Sequence, residues 1–520
     1  MHLPAERISD WLNPIFVKET RQALKSRQFI ATFLLLLTAS WLASSLGMLM
    51  AGSEIEYQSN GRAFFSAYYA ILAFAIDIVV PFAAFRSVVS ERDLFTFELL
   101  SITTLKPRQV VLGKLQSALL QVFIYFSAIT PFIAFTYLLK GIDVLTIVFV
   151  LAASLFWSMM ISMAALGIST VARQRTWQSL LTIGVLVALA LGWGMALQSV
   201  FGGLFFVGLA FDRSEFWVCC GVTLLYGGLY FWLFFQLAVA QLTFESDNRS
   251  TGVRLAVAAL FWTTVALSTG LLESWAPGLS PSSGFLQFWS LLMLVHWLVL
   301  GLASTTEPDF LSRRIRRRLP RSRIVRLALA PLLPGGARGL LFVLGHVALL
   351  WMIVAVVSAQ VPAIDRAVQS TVGGACCYAL VYLGLATAFA RWGRAVSSEF
   401  RPAHARAAVV LLAALGSLLP HLVRFLEIRR MELSPLFYIT DPVSTLQTID
   451  AQDDNRKMLL LVLAAVSVLC LAINTRALLA GVMEIVNSTD QPPPVPRPAL
   501  EAAPPLSSPP GESLPTSAAG

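Results

Sequence analysis

Twelve stretches of mostly apolar residues, each near the length of a membrane-crossing helix, succeed one another along this chain. They lie at about 29–51, 64–85, 115–139, 144–171, 178–197, 216–241, 255–273, 285–305, 339–361, 370–390, 407–423 and 457–475. A helix needs about 20 mostly apolar residues to cross the hydrocarbon core of a bilayer. The composition agrees: of 520 residues, 57% are hydrophobic and 13% charged, where soluble domains carry about 25% charged residues. Too little charge is present to coat the surface of a soluble chain of this length. The expected fold is all-α, a polytopic membrane protein with about twelve transmembrane helices. An ordinary cytosolic enzyme, a disordered chain and a disulfide-stapled secreted domain are excluded.

The first apolar stretch follows residues 1–28 and is too long for the apolar region of a signal peptide, so it reads as a span. The five cysteines, Cys219, Cys220, Cys376, Cys377 and Cys470, all fall in apolar stretches. They offer neither a disulfide framework nor a CxxC metal knuckle. Residues 198–211 are apolar but short; they read either as a separate dip into the outer leaflet or as a continuation of the fifth span.

Orientation follows from the basic residues. The net charge is +9. With the N-terminus in the cytoplasm, 29 of the 38 Lys and Arg fall on the cytoplasmic side, as the positive-inside rule requires. Both termini are then cytoplasmic. Arg424, Arg429 and Arg430, at the outer end of the eleventh span, run against this assignment.

Four segments outside the spans carry information. In residues 8–27, Ile8, Trp11, Leu12, Ile15 and Phe16 recur at helical spacing, with Lys18, Arg21, Lys25 and Arg27 behind them. Pro14 suits the first turn of a helix, where its missing N–H costs nothing. A basic amphipathic helix ahead of a span lies in the interface plane. In residues 86–114, Ser90 and Asp93 have the spacing of a capping box. Phe95, Leu99 and Ile102 form one apolar stripe, and Pro107 restarts a helix through Gly113 and Lys114 into the third span. An apolar stripe outside the bilayer must bury itself on the protein's own loops, on the membrane surface or on a partner. Residues 311–326 hold a dense arginine cluster, read as a topology anchor that also meets anionic lipid. Nucleic acid is not an expected partner, because no aromatics interleave with these arginines. Residues 491–520 contain ten prolines and little charge, the composition of a disordered tail.

Catalytic signatures are absent. The sequence has no GxxxxGK[ST], GxGxxG, HExxH or GxSxG pattern. No catalytic, cofactor-binding or metal-ligating residues are assigned, and the chain does not read as an enzyme. His296 and His346 lie in spans and are expected to pack or to bond between helices. Asp77, deep in the second span, is the one clear intramembrane charge, and such residues are functional candidates by default. A proton relay would need more members than Asp77 alone.

Residues 86–114 resemble the cytoplasmic loop of bacterial ABC-2-type transporter permeases, whose pattern runs roughly ERxxGTLELLLxTPLSPxxIVLGK between the second and third spans. Glu91, Arg92, Thr96, Glu98, Leu99, Leu100, Thr103, Leu105, Pro107, Val110, Gly113 and Lys114 match it in register. Asn13, Pro14, Lys18, Glu19 and Arg21 are similar to that family's opening, NPxxxKExR. Phe95 stands where the family has Gly, Thr104 replaces the first Pro, and Lys106 replaces a capping Ser. The likeness fades after about residue 241.

The resemblance implies the membrane subunit of an ATP-driven transporter, usually an exporter, in the bacterial inner membrane. Residues 86–114 would be its coupling loop, docking on a separate ATPase subunit, and the helix within 1–28 its connecting helix. Residues 29–241 would be a six-helix permease module. Residues 242–486 form a second set of about six helices with an arginine-rich loop at 306–338, read either as a diverged second module or as unrelated helices. The tail is 487–520. The sequence leaves open a homodimer or a second permease as the rest of the assembly. Charge reversal at Glu91 or Glu98 is expected to uncouple hydrolysis from transport. The rival readings are a secondary transporter or channel built on Asp77, and a membrane scaffold without transport.

Overall fold

A computed structural model describes residues 13–52, 60–93, 105–170, 175–244, 246–268, 283–360, 366–426, 434–451 and 455–487. These form helices throughout, with no strand among the described residues. After the short α1 (Pro14–Leu24) comes the first span, α2 (Arg27–Ala51). The second span is one rod in three parts: α3 (Gly61–Ala73), a π turn (Phe74–Val79) and α4 (Val80–Asp93). Spans three to six are α5 (Pro107–Leu138), α6 (Val144–Ser169), α7 (Arg175–Gly202) and α8 (Ser214–Leu242). The second half holds α9 (Ser250–Ala266), α10 (Ser283–Thr305), α11 (Arg313–Arg316), α12 (Arg323–Leu329), α13 (Gly336–Gln360), α14 (Arg366–Val396), α15 (Pro402–Leu426), α16 (Pro442–Asp450) and α17 (Arg456–Val486).

Eleven of these helices are long and apolar enough to cross a membrane. The chain is an all-α multi-pass membrane protein. The seventh expected span corresponds to α9, which is shorter, at 17 residues. The fifth span does not end near residue 197: α7 runs to Gly202 and continues as a π segment through Gly203–Val207. Continuation, rather than a separate dip, is therefore what residues 198–207 form. Between the eleventh and twelfth spans, α16 begins at Asp441, whose carboxylate accepts from the Val443 and Ser444 amides.

Packing explains which helices are central. The apolar stretches of the second span and of α14 are each 61% buried, whereas those of α2, α7 and α15 are 11% buried and face outward. One core cluster is built around Phe65, Tyr68, Leu72 and Ile76 of the second span. Another joins α8 to α9, α10, α13 and α14 around Leu260, Trp297, Val343 and Val372. In the first half the second span packs on the fourth and the fourth on the sixth; in the second half α10 packs on α14 and α14 on α17.

Residues 80–93 overturn one expectation. Ser90 does not start a helix. It sits inside α4, and its hydroxyl donates to the Ser87 carbonyl at 3.3 Å. The second span simply continues to Asp93, because nothing in SVVSERD breaks a helix once its upstream turns are formed. The apolar stripe Phe95, Leu99 and Ile102 lies outside the described residues.

Candidate functional site

The two segments singled out in the sequence meet in space. Asn13 caps α1: its Oδ1 accepts from the Ile15 amide at 3.1 Å, with Pro14 in the first turn. Its Nδ2 donates to the Gln109 carbonyl at 2.6 Å, tying the start of α1 to the first turn of α5. Gln109 also caps α5, accepting from the Lys106 amide at 2.9 Å. This supplies the cap that Lys106, in place of a serine, does not provide through its own side chain.

From that tie, α1 lies along α5. Ile15 is buried, and Gly113 is its contact: a Cβ on Gly113 would stand 2.8 Å from Ile15 Cβ and 2.9 Å from the Phe16 nitrogen. Only a residue without a side chain permits this approach.

An ion cluster seals the junction. Lys114 Nζ donates to Glu19 Oε1 at 2.9 Å and stands 3.1 Å from Glu91 Oε1. Lys18 Nζ donates to the same Glu91 oxygen at 3.1 Å. The Lys114 side chain is 3% exposed and those of Glu19 and Glu91 12%, whereas Lys18 is half exposed. Lys114 also donates to the Ser87 carbonyl at 3.3 Å. A buried ammonium is tolerated only where partners replace its water, and here two carboxylates and a carbonyl do so. The cluster joins α1, α4 and α5 and, among the described residues, is balanced in charge, with two lysines and two glutamates. It holds no nucleophile beside a base; its chemistry is that of a charged clasp.

The remaining expected residues divide. Pro107 stands in the first turn of α5. Arg21 takes no part in the cluster and lines an open groove on α1 with Pro14, Val17, Lys18, Gln22 and Lys25. Arg92 is in the last turn of α4. Thr96, Glu98, Leu99 and Leu100 lie outside the described residues. Asp77 belongs elsewhere, in the π turn of the second span.

A second charged knot was not foreseen. Arg254 at the start of α9 is 2% exposed. It donates to Glu307 Oε2 at 2.8 Å and to the carbonyls of Pro331 and Leu333 at 2.8 and 2.6 Å. Arg338 in α13, 1% exposed, reaches Glu484 of α17 at 3.2 Å. Arg326 donates to the carbonyls of Pro320, Arg321 and Val486. The loop at 306–338 is therefore a folded element locked by buried arginines, and not solely a run of surface charge. Gly335 and Gly339, which let the backbone close around these guanidinium groups, and Gly336, which packs on the Thr305 and Glu307 carbonyls, were the available signal. His346 Nδ1 donates to the Phe342 carbonyl at 2.8 Å, and its ring packs on Trp297.

Compared with family models, with curated proteins and with solved structures, the chain matches none.

Proposed function

We propose that this chain is the membrane-spanning permease of an ATP-driven transporter of the ABC-2 type, an exporter of the bacterial inner membrane with both termini in the cytoplasm. Its ATPase is a separate polypeptide. One observation carries this reading. The opening segment and the loop segment that resemble the family are far apart in sequence, yet Lys18, Glu19, Glu91 and Lys114 form one cluster. A partner that moved residues 94–104 would pull on α4 and α5 at the ends where that cluster holds them. Such a partner shifts the conformational equilibrium only if it binds one state better than the other. The two halves, with their shared packing order, would serve as two six-helix modules.

The test is co-purification of the chain with an ATPase carrying a phosphate loop, followed by hydrolysis and transport assays in vesicles. Glu91→Lys places a third cation beside Lys18 and Lys114; hydrolysis is expected to persist while transport falls. Intact coupling in that variant would overturn the role given to the junction. A second reading, transport without an ATPase, is favoured by the carboxyl of Asp77, which has no hydrogen-bond partner among the described residues. It prevails if no ATPase associates and Asp77→Asn abolishes transport.

A further inference from the structure

Asp77 is 1% exposed, and neither carboxyl oxygen has a hydrogen-bond partner among the described residues. It lies in the π turn Phe74–Val79, where the Val80 amide reaches back to the Ala75 carbonyl. Single π turns inside α-helices concentrate at functional positions.

Its surroundings are polar in a particular way. The fourth span presents Ser154, Ser158 and Ser162 at successive turns of one face, all buried. Ser154 donates to the Tyr69 hydroxyl at 3.2 Å, and Ser158 donates to the Ile76 carbonyl at 2.7 Å. The serine face therefore lies directly against the residue before Asp77. Ser162, one turn further on, has a buried hydroxyl without a partner among the described residues. From the fifth span, Trp193 packs its ring 6.0 Å from Phe74, and its buried indole N–H is likewise unpartnered.

No counter-charge is at hand among the described residues. Between Val144 and Ser169, and again between Gln178 and Gly202, the packed helices carry no titratable side chain. The first span has none after Arg27. Tyr69 stands two turns before Asp77 on the same span; Tyr125 is the titratable residue in the middle of α5, and Arg86, Glu91 and Lys114 lie toward the far ends of their helices. An ionised carboxylate without a partner cannot be kept in such surroundings; it neutralises.

We propose that Asp77 is a proton-binding site. In the conformation seen here the carboxyl group holds its proton, taken from water. The hydroxyls of Tyr69, Ser154, Ser158 and Ser162 supply the polar lining beside it. This inference does not depend on an ATPase and stands or falls separately from the permease reading.

The probe is dicyclohexylcarbodiimide, which couples to protonated carboxyl groups in apolar surroundings. Full-length protein in lipid vesicles is treated across a range of pH and mapped by peptide mass spectrometry. The expected result is an adduct on Asp77 that is lost as pH rises and is missing in Asp77→Asn, with Asp77→Glu still labelled. Asp77→Asn should fold and melt at least as high as the parent, since a neutral amide replaces a neutral acid. Failure to label Asp77 at any pH while its peptide is detected would overturn the proposal. So would suppression of labelling by sodium chloride, but not choline chloride, which would assign a metal cation instead.

Discussion

Gly113 and Ile15 touch backbone to side chain: a methyl group on Gly113 would stand 2.8 Å from Ile15 Cβ. The same methyl would meet the Phe16 nitrogen at 2.9 Å, and a backbone atom cannot rotate away as a side chain can. Gly113→Ala must therefore lever α1 off α5. Overpacking of this kind costs about 1–3 kcal/mol. We expect a lower melting temperature in detergent and faster proteolysis within residues 14–24. An unchanged melt and cleavage pattern would show that the contact is looser than described.

Lys114 is, among the described residues, the deeply buried cation of the junction's ion cluster. Lys114→Met leaves Glu19 and Glu91 facing one another, with the half-exposed Lys18 as the cation beside them among the described residues. Breaking a buried pair by removing one partner costs about 3–5 kcal/mol. In a double-mutant cycle with Glu91→Gln the two changes should not add, with a coupling of about 0.5–3 kcal/mol. Simple additivity would mean that Lys114 and Glu91 do not share energy.

The arginines of the second half should separate sharply by burial. Arg254→Ala removes the cation beside Glu307 and strands the carbonyls of Pro331 and Leu333, at a cost of about 3–5 kcal/mol. Arg314, which pairs with Asp247 at 2.8 Å with its side chain 60% exposed, should matter by no more than about 1 kcal/mol on removal. Equal melting temperatures for the two alanine variants would contradict the folded loop.

Asp441 links the short helix α16 to pH. Burial raises its carboxyl, but hydrogen bonds from Ser444 and His421 and from the Ser444 and Val443 amides outweigh this and hold it below the ordinary range. The folded value being depressed, the stabilisation is complete above the ordinary aspartate value of about 3.9. It is lost as pH falls through the lower folded value. Hydrogen exchange over residues 435–450 should therefore quicken on that acid limb. In Asp441→Asn the limb should vanish; its persistence would point to another group.

The spans were legible because length and apolarity alone specify a membrane helix, whatever its neighbours. Reach beyond the membrane was not: Glu91, Arg92 and Asp93 read as the start of a new element, yet they extend an old one. The junction was half legible. Its residues stood out, but α1 and α5 are about 95 positions apart, and no periodicity in either segment specifies that pairing. Arg254, Arg326 and Arg338 were hidden by a different cause. Their burial depends on carbonyl groups of a loop whose path is set by tertiary packing, so in sequence they look like any solvated arginine.

The clasp around Lys114 also sets an order of events during synthesis. Glu19 emerges from the ribosome long before Lys114, and until the third span begins it has no buried cation to meet. The N-terminal helix therefore cannot lock when it is made. It waits, free to be handled by the insertion machinery, while two spans enter the bilayer, and it closes only when the chain has passed residue 114. A nascent chain arrested earlier would carry Glu19 without the buried cation that it meets in the finished protein.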